Sequence, residues 1–183
     1  MHFKTLIRSF SLITLFLLAA GTWAKGVYLT SDQFLQQAFA DTVPKSQVIW
    51  LNAELKAELS ELLSRPYRGL RIRYWQQHDR SAWIFDEIGK EMPITIGVVL
   101  NKQQVESVNI LAFRESRGGE VRYPFFTDQF KGIGLTEKHK LNQNIDGVTG
   151  ATLSVAAVKR ATKLALFLNQ EVIKQQALRQ HQE

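Results

Sequence analysis

One segment constrains this chain more than any other: Asp146-Gly147-Val148-Thr149-Gly150-Ala151-Thr152-Leu153-Ser154, where a polar run passes into the cleanest helical periodicity of the sequence. Gly147 and Gly150 tolerate backbone angles that side chains resist, so a tight turn is expected here. Thr149 is the expected N-cap, which puts Gly150, Ala151 and Thr152 in the first helical turn. From there Ala151, Val155, Val158, Thr162 and Ala165 share one face at helical spacing, with Lys159, Arg160 and Lys163 on the other. At about 100° per residue, Thr152 falls near the boundary of the two faces, beside Lys159, so its hydroxyl is expected to reach solvent. Unpaired helix amides and the positive end of the helix dipole make this an expected place for a phosphate.

The 183 residues contain no cysteine, which removes disulfides, thiolate metal sites, iron–sulfur clusters and covalent c-type haem. Any electron the chain carries must then travel on an organic cofactor. With 45% hydrophobic residues the chain can bury one good core, and a single domain is expected over 25–183. Residues 1–24 stand apart. Lys4 and Arg8 precede the apolar run Phe10–Ala20, and Thr22-Trp23-Ala24 offers a small-x-small cleavage site before Lys25. The run is too short and wrongly flanked for a spanning helix, so a cleaved secretory signal peptide is preferred over a membrane anchor, and the periplasm is the expected location. The formal charge of +6 includes Lys4 and Arg8. What remains is modest and dispersed, which does not point to nucleic acid.

Along the chain, Ser31 can cap a short helix over Asp32–Ala40, and Pro44 interrupts before a short strand over Val48–Leu51. Asn52 starts a second helix through Leu63, with Leu55, Leu59, Leu62 and Leu63 inward, and Pro66 stops it. Four extended runs follow: Leu70–Gln76, Ala82–Glu87, Ile94–Leu100 and Val105–Phe113, separated by polar turns at His78-Asp79-Arg80 and Asn101–Gln104. In the first of them Leu70, Ile72 and Tyr74 alternate with Arg71, Arg73 and Trp75. Such spacing predicts an antiparallel meander or hairpin pair. With helices before and after, the fold class is α+β: a single domain with a twisted, mainly antiparallel sheet covered by helices. The tail beyond Gln170 extends the last helix and then frays.

The pattern Asp-x-x-Thr-Gly-Ala-Thr, here Asp146, Thr149, Gly150, Ala151 and Thr152, resembles the flavinylation motif of the FMN-binding domain family. That family includes flavin-bearing subunits of bacterial ion-pumping quinone and ferredoxin oxidoreductases and small secreted relatives. The resemblance implies FMN joined through a phosphodiester to Thr152, with Asp146, Thr149, Gly150, Ala151 and Ser154 around it. A separate FAD:protein FMN transferase, using FAD and Mg²⁺, would make the bond. Further upstream, Arg114-Glu115-Ser116-Arg117-Gly118-Gly119, followed by Phe126, Gln129, Phe130 and Gly132, resembles the family's acid-hydroxyl pair, glycine loop and aromatic-Gly segment. On that match Glu115 and Ser116 border the flavin pocket, although the proline often found after the pair is missing and the glycines are adjacent. The resemblance covers about residues 90–170. It implies an electron carrier rather than a stand-alone enzyme, partnered by the transferase, a membrane electron donor and a redox acceptor.

Other chemistry finds less support. His78 and His139 lack metal spacing and no carboxylate cluster accompanies them. Ser154, His139 and Asp146 include the residue types of a hydrolytic triad, but no nucleophile elbow surrounds any serine. Trp50, Trp75 and Trp83 could stack on a ring system, yet strand aromatics usually fill cores, and core is expected for most of them. Lys138-His139-Lys140 precedes the motif and reads as a solvated charge run. Two alternatives stay open: a module that holds FMN or another phosphorylated ligand noncovalently, and a periplasmic interaction domain whose Thr-Gly-Ala-Thr only starts a helix.

Overall fold

The computed structural model describes residues 26–40 and 42–181, so the signal read from Lys4 to Ala24 lies outside the described residues. In chain order the elements are α1 (Ser31–Ala38), β1 (Gln47–Trp50), α2 (Ala53–Leu63), β2 (Arg71–Gln77), β3 (Arg80–Ile88), β4 (Pro93–Asn101), β5 (Gln104–Phe113), a short α3 (Pro124–Thr127) and α4 (Thr152–Gln180). The five strands form one antiparallel meander in the order β1-β2-β3-β4-β5. This is the α+β fold that alternating apolar runs and polar turns predict. The β4–β5 hairpin turns on Lys102 and Gln103, both at positive φ (48° and 64°), the geometry whose twist matches that of the flanking strands.

α4 lies across one face of the sheet and builds the main core there. Trp83, Ile94, Ile96 and Val98 from the strands join the same buried cluster as Val158, Ala161, Ala165 and Leu168 from the helix. Leu59, fully buried from α2, completes one side of it. Losing a buried leucine of this kind costs roughly 2–5 kcal/mol, because the cavity left behind closes only in part. The opposite face carries a smaller cluster, in which Phe34 and Leu35 of α1 pack on Ala82, Val99 and Leu111. Gly97 makes that contact possible, since a Cβ there would stand 2.7 Å from the Phe34 ring.

Several local expectations change. α1 is capped by Thr30, not Ser31: the Thr30 and Gln33 side chains satisfy each other's backbone amides, and the helix ends at Ala38. Asn52 caps α2 as expected, accepting from the Leu55 amide at 2.8 Å. Ser64 in the left-handed region, ahead of Pro66, ends that helix. Leu70 and Trp50, expected inward, are 67% and 66% exposed. Trp50 pairs with Arg71 on the sheet face turned away from Ile49, Ile72 and the α4 core, and Leu70 lies just ahead of β2 at the sheet margin. Trp83, by contrast, is fully buried, and its indole donates to Ser81, whose hydroxyl donates to Asn169 of α4.

Candidate functional site

The start of α4 is built by a turn rather than by a cap. The Ala151 amide donates to the Val148 carbonyl at 2.9 Å, and Gly150 inside that turn adopts φ +78°, in the left-handed region. Ala151 is the N-cap residue, and no side chain caps this end. Thr149, expected as N-cap, is therefore displaced: the left-handed turn at Gly150 separates it from the helix. Gly150 and Ala151 precede the helix, and Thr152 is its first residue. Gly147 shows no positive φ.

Asp146, Thr149 and Thr152 are exposed, while Ala151 and Ser154 are buried. The loop before the turn is held from both sides. Gln129 accepts from the Asp146 amide at 2.7 Å, and the Lys159 ammonium donates to the Ile145 carbonyl at 3.5 Å. The Asp146 carboxylate itself faces solvent. Thr152 opens onto a cavity of about 620 Å³, whose charged lining comes from Lys140, Lys159, Arg160 and Lys163, over an apolar floor of Leu141, Val155 and Ala156. Among the described residues no carboxylate lines it.

These cations are not equivalent. Arg160 is engaged elsewhere, donating to the buried Glu87 carboxylate at 3.0 Å and to the Ile88 carbonyl at 2.8 Å. Lys163 reaches the Leu62 carbonyl, at 3.4 Å. Its ammonium is held below the usual lysine range, chiefly by burial and then by repulsion from Arg160 and Lys159. A phosphate in this cavity would relieve that repulsion. Residue type, charge and an accessible hydroxyl at an open helix N-terminus thus fit a phosphoryl group attached at Thr152.

Glu115 and Ser116 line a different cavity, of about 540 Å³, together with Gly118, Arg122 and Tyr123. One oxygen of Glu115 accepts the amides of Lys90, Glu91 and Met92, the last two at 2.7 and 3.0 Å. Those bonds, led by the one from Met92, hold the carboxyl below the usual range. Glu115 thereby anchors the β3–β4 turn. Gly118 of this cavity packs on the start of α4, where an added Cβ would stand 2.7 Å from the Ser154 hydroxyl and 3.3 Å from the Ala151 Cβ. Two helix positions apart, Ser154 faces this loop while Thr152 faces away from it. Ser154, His139 and Asp146 share no hydrogen bond; His139 instead packs edge-on against Phe167, 4.9 Å between centroids. Among the described residues no group of three or more His, Cys, Asp or Glu is arranged for a metal.

Sequence reasoning missed Leu141 and the hold of Gln129 on the Asp146 amide. Lys140, read as solvated, is exposed, and it also lines the Thr152 cavity. The available signal for Gln129 was a polar residue set between the fully buried Phe126 and Phe130.

Residues 89–166 match the family model of the FMN-binding domain. The match runs from the β3–β4 turn through the first half of α4 and includes both Glu115 and Thr152, so the resemblance read from the motif is borne out. In fold, the chain is similar to a component of the Na(+)-translocating NADH-quinone reductase of Parabacteroides distasonis ATCC 8503. The TM-score is 0.50 at 10% identity, with 79% of this chain and 86% of that one covered. At that identity the likeness is one of fold. No curated protein matches the chain.

Proposed function

We propose that this chain is an exported electron-transfer flavoprotein that carries FMN covalently, through a phosphodiester to the Thr152 hydroxyl. The observation that carries the reading is the exposed hydroxyl of Thr152 as the first residue of an uncapped helix, at the mouth of a cavity charged by three lysines and an arginine. The FMN-binding domain match over residues 89–166 supports FMN as the cofactor. A phosphodiester keeps one negative charge, which the open amides of α4 and the nearby lysines offset. Thr152 is exposed, and nothing stands within 4 Å of where a Cβ on Gly150 would be, so the turn before it is uncrowded. Bound FMN would supply the redox chemistry; the chain supplies tether, orientation and a positive electrostatic environment.

Attachment would need a separate FAD:protein FMN transferase with FAD and Mg²⁺. Asp146 is proposed to act in that step, by helping to place Mg²⁺ or the Thr152 hydroxyl; its exposed carboxylate is open to such a partner. The working partners would be a membrane electron donor and a redox acceptor in the periplasm. The test is intact mass and in-gel flavin fluorescence after denaturation, with the exported protein coexpressed with the transferase. A fluorescent band with the mass gain of one FMN, lost in Thr152→Ala, is expected. Flavin released on denaturation would replace the covalent reading with noncovalent binding. Colourless protein would remove the flavin altogether. Asp146→Ala that loads normally would remove the role given to Asp146.

A further inference from the structure

The two edges of the sheet are finished differently. Along β5, returning chain pairs with the strand: the Phe113 amide donates to Gly26 at 2.7 Å, the Tyr28 amide to Leu111 at 2.9 Å, and the Gly132 amide to Val105 at 2.8 Å. Beyond β1, no described residue pairs. The Leu51 amide donates across to Leu70 at 3.0 Å, so the alternation of an antiparallel ladder turns the amides and carbonyls of Val48 and Trp50 outward. An edge left this way is a ready template for another extended chain.

The sheet face beside that edge is cationic and aromatic. Trp50 and Val48 stand opposite Arg71 and Arg73 in the β1–β2 register. The Arg71 guanidinium lies 5.6 Å from the Trp50 ring centroid. Arg71 and Arg73 both line two adjoining cavities, of about 540 and 520 Å³; Arg68 joins them in the first, and Trp75 in the second. Among the described residues Arg68, Arg71 and Arg73 form no ion pair, in contrast to Arg65 and Arg160, which share Glu87. Of the nearby carboxylates, Asp86 accepts from Thr95 and Glu87 is taken by its two arginines, leaving Asp32 at the start of α1.

We propose that the free edge of β1, with Arg71 and Arg73 beside it, is a docking strip for an acidic extended segment of a partner protein. The segment adds as a sixth strand. Its backbone pairs with Val48 and Trp50, and alternate carboxylates reach the guanidinium groups. Exposed tryptophan beside arginine is the composition that carries binding energy in protein interfaces. An anionic lipid surface would satisfy the arginines but not the directional backbone groups of the edge. This inference does not depend on the flavin.

The test uses a synthetic peptide of alternating threonine and glutamate, about ten residues long to match a strand, titrated into the full-length protein by calorimetry and by amide chemical shifts. Saturable binding is expected, with shifts at Val48 and Trp50, and affinity falling roughly tenfold or more in the Arg71→Glu/Arg73→Glu variant. A threonine–lysine peptide should not bind. A threonine–glutamate peptide N-methylated at alternate residues should lose binding, which removes the edge bonds without altering the protein. Absence of saturable binding overturns the proposal, as does equal binding of the N-methylated peptide or indifference to the arginine variant. Binding to phosphatidylglycerol vesicles in place of the peptide overturns it in favour of a membrane surface.

Discussion

The three long helices begin in two different ways. α1 and α2 are closed by side chains, with Thr30 and Gln33 sealing one and Asn52 the other. α4, the longest at 29 residues, begins at Thr152 after the N-cap Ala151, with no side chain capping its amides. Capping stabilises a helix end by satisfying orphan donors, so an uncapped start on the main helix forgoes about 1 kcal/mol. The ends of α1 and α2 therefore serve the fold, while the end of α4 is left available to a group from outside the chain. Lysines on the following turns point the same way.

This contrast can be broken most sharply at Thr152. Thr152→Ala should abolish the flavin adduct while changing the unfolding free energy by less than about 0.5 kcal/mol, since an exposed first-turn hydroxyl that caps nothing holds nothing. A large loss of stability would show that α4 is closed in some other way. Gly150→Ala comes next. Space is open there, so the cost is left-handed strain alone, about 1–2 kcal/mol in denaturant melts, accompanied by slower flavin loading. Asn52→Ala should cost about 1 kcal/mol and leave loading unchanged; lost flavin would collapse the distinction between the two kinds of end.

The smallest effects are those of pH. Lys163 has a lowered pKa in the folded chain, so its charge opposes folding below that pKa, and the opposition fades as pH rises from there through the ordinary lysine range. Attachment of a phosphoryl group at Thr152 should move the Lys163 ammonium titration back up, as read by side-chain NMR of loaded and unloaded protein. No upward shift would separate the lysines from the site. Glu115 behaves oppositely. Its lowered pKa adds stability above the ordinary carboxylate range, lost as pH falls through the folded value. The stability gap between wild type and Glu115→Gln should accordingly narrow in acid.

Much of the sheet was legible because its information is local. β4, Pro93–Asn101, is β-branched and buried along most of its length, and polar turns mark the starts of β3 and β5. The helix of residues 152–180 announced itself by period. What escaped depends on partners distant in sequence or on backbone detail. Thr30 and Ser31 are equally good caps on paper, and only the match with Gln33 decides between them. Thr149 lost its expected role to the left-handed turn at Gly150, which composition permits but does not demand. Trp50 and Leu70 look like core until the sheet edge is known. Glu115 is most telling: its amide partners lie more than twenty residues upstream, so nothing beside it in sequence reveals that its carboxylate is committed to a turn.

α4 also makes the molecule a ruler. From Thr152 to Arg179 the helix rises about 1.5 Å per residue, or roughly 40 Å in all. With no cysteine anywhere in the chain, Arg179→Cys would introduce its sole thiol. A spin label or dye there would sit at about that remove from Thr152 along the helix axis, and tethering to an electrode through the same atom would fix which end faces solution.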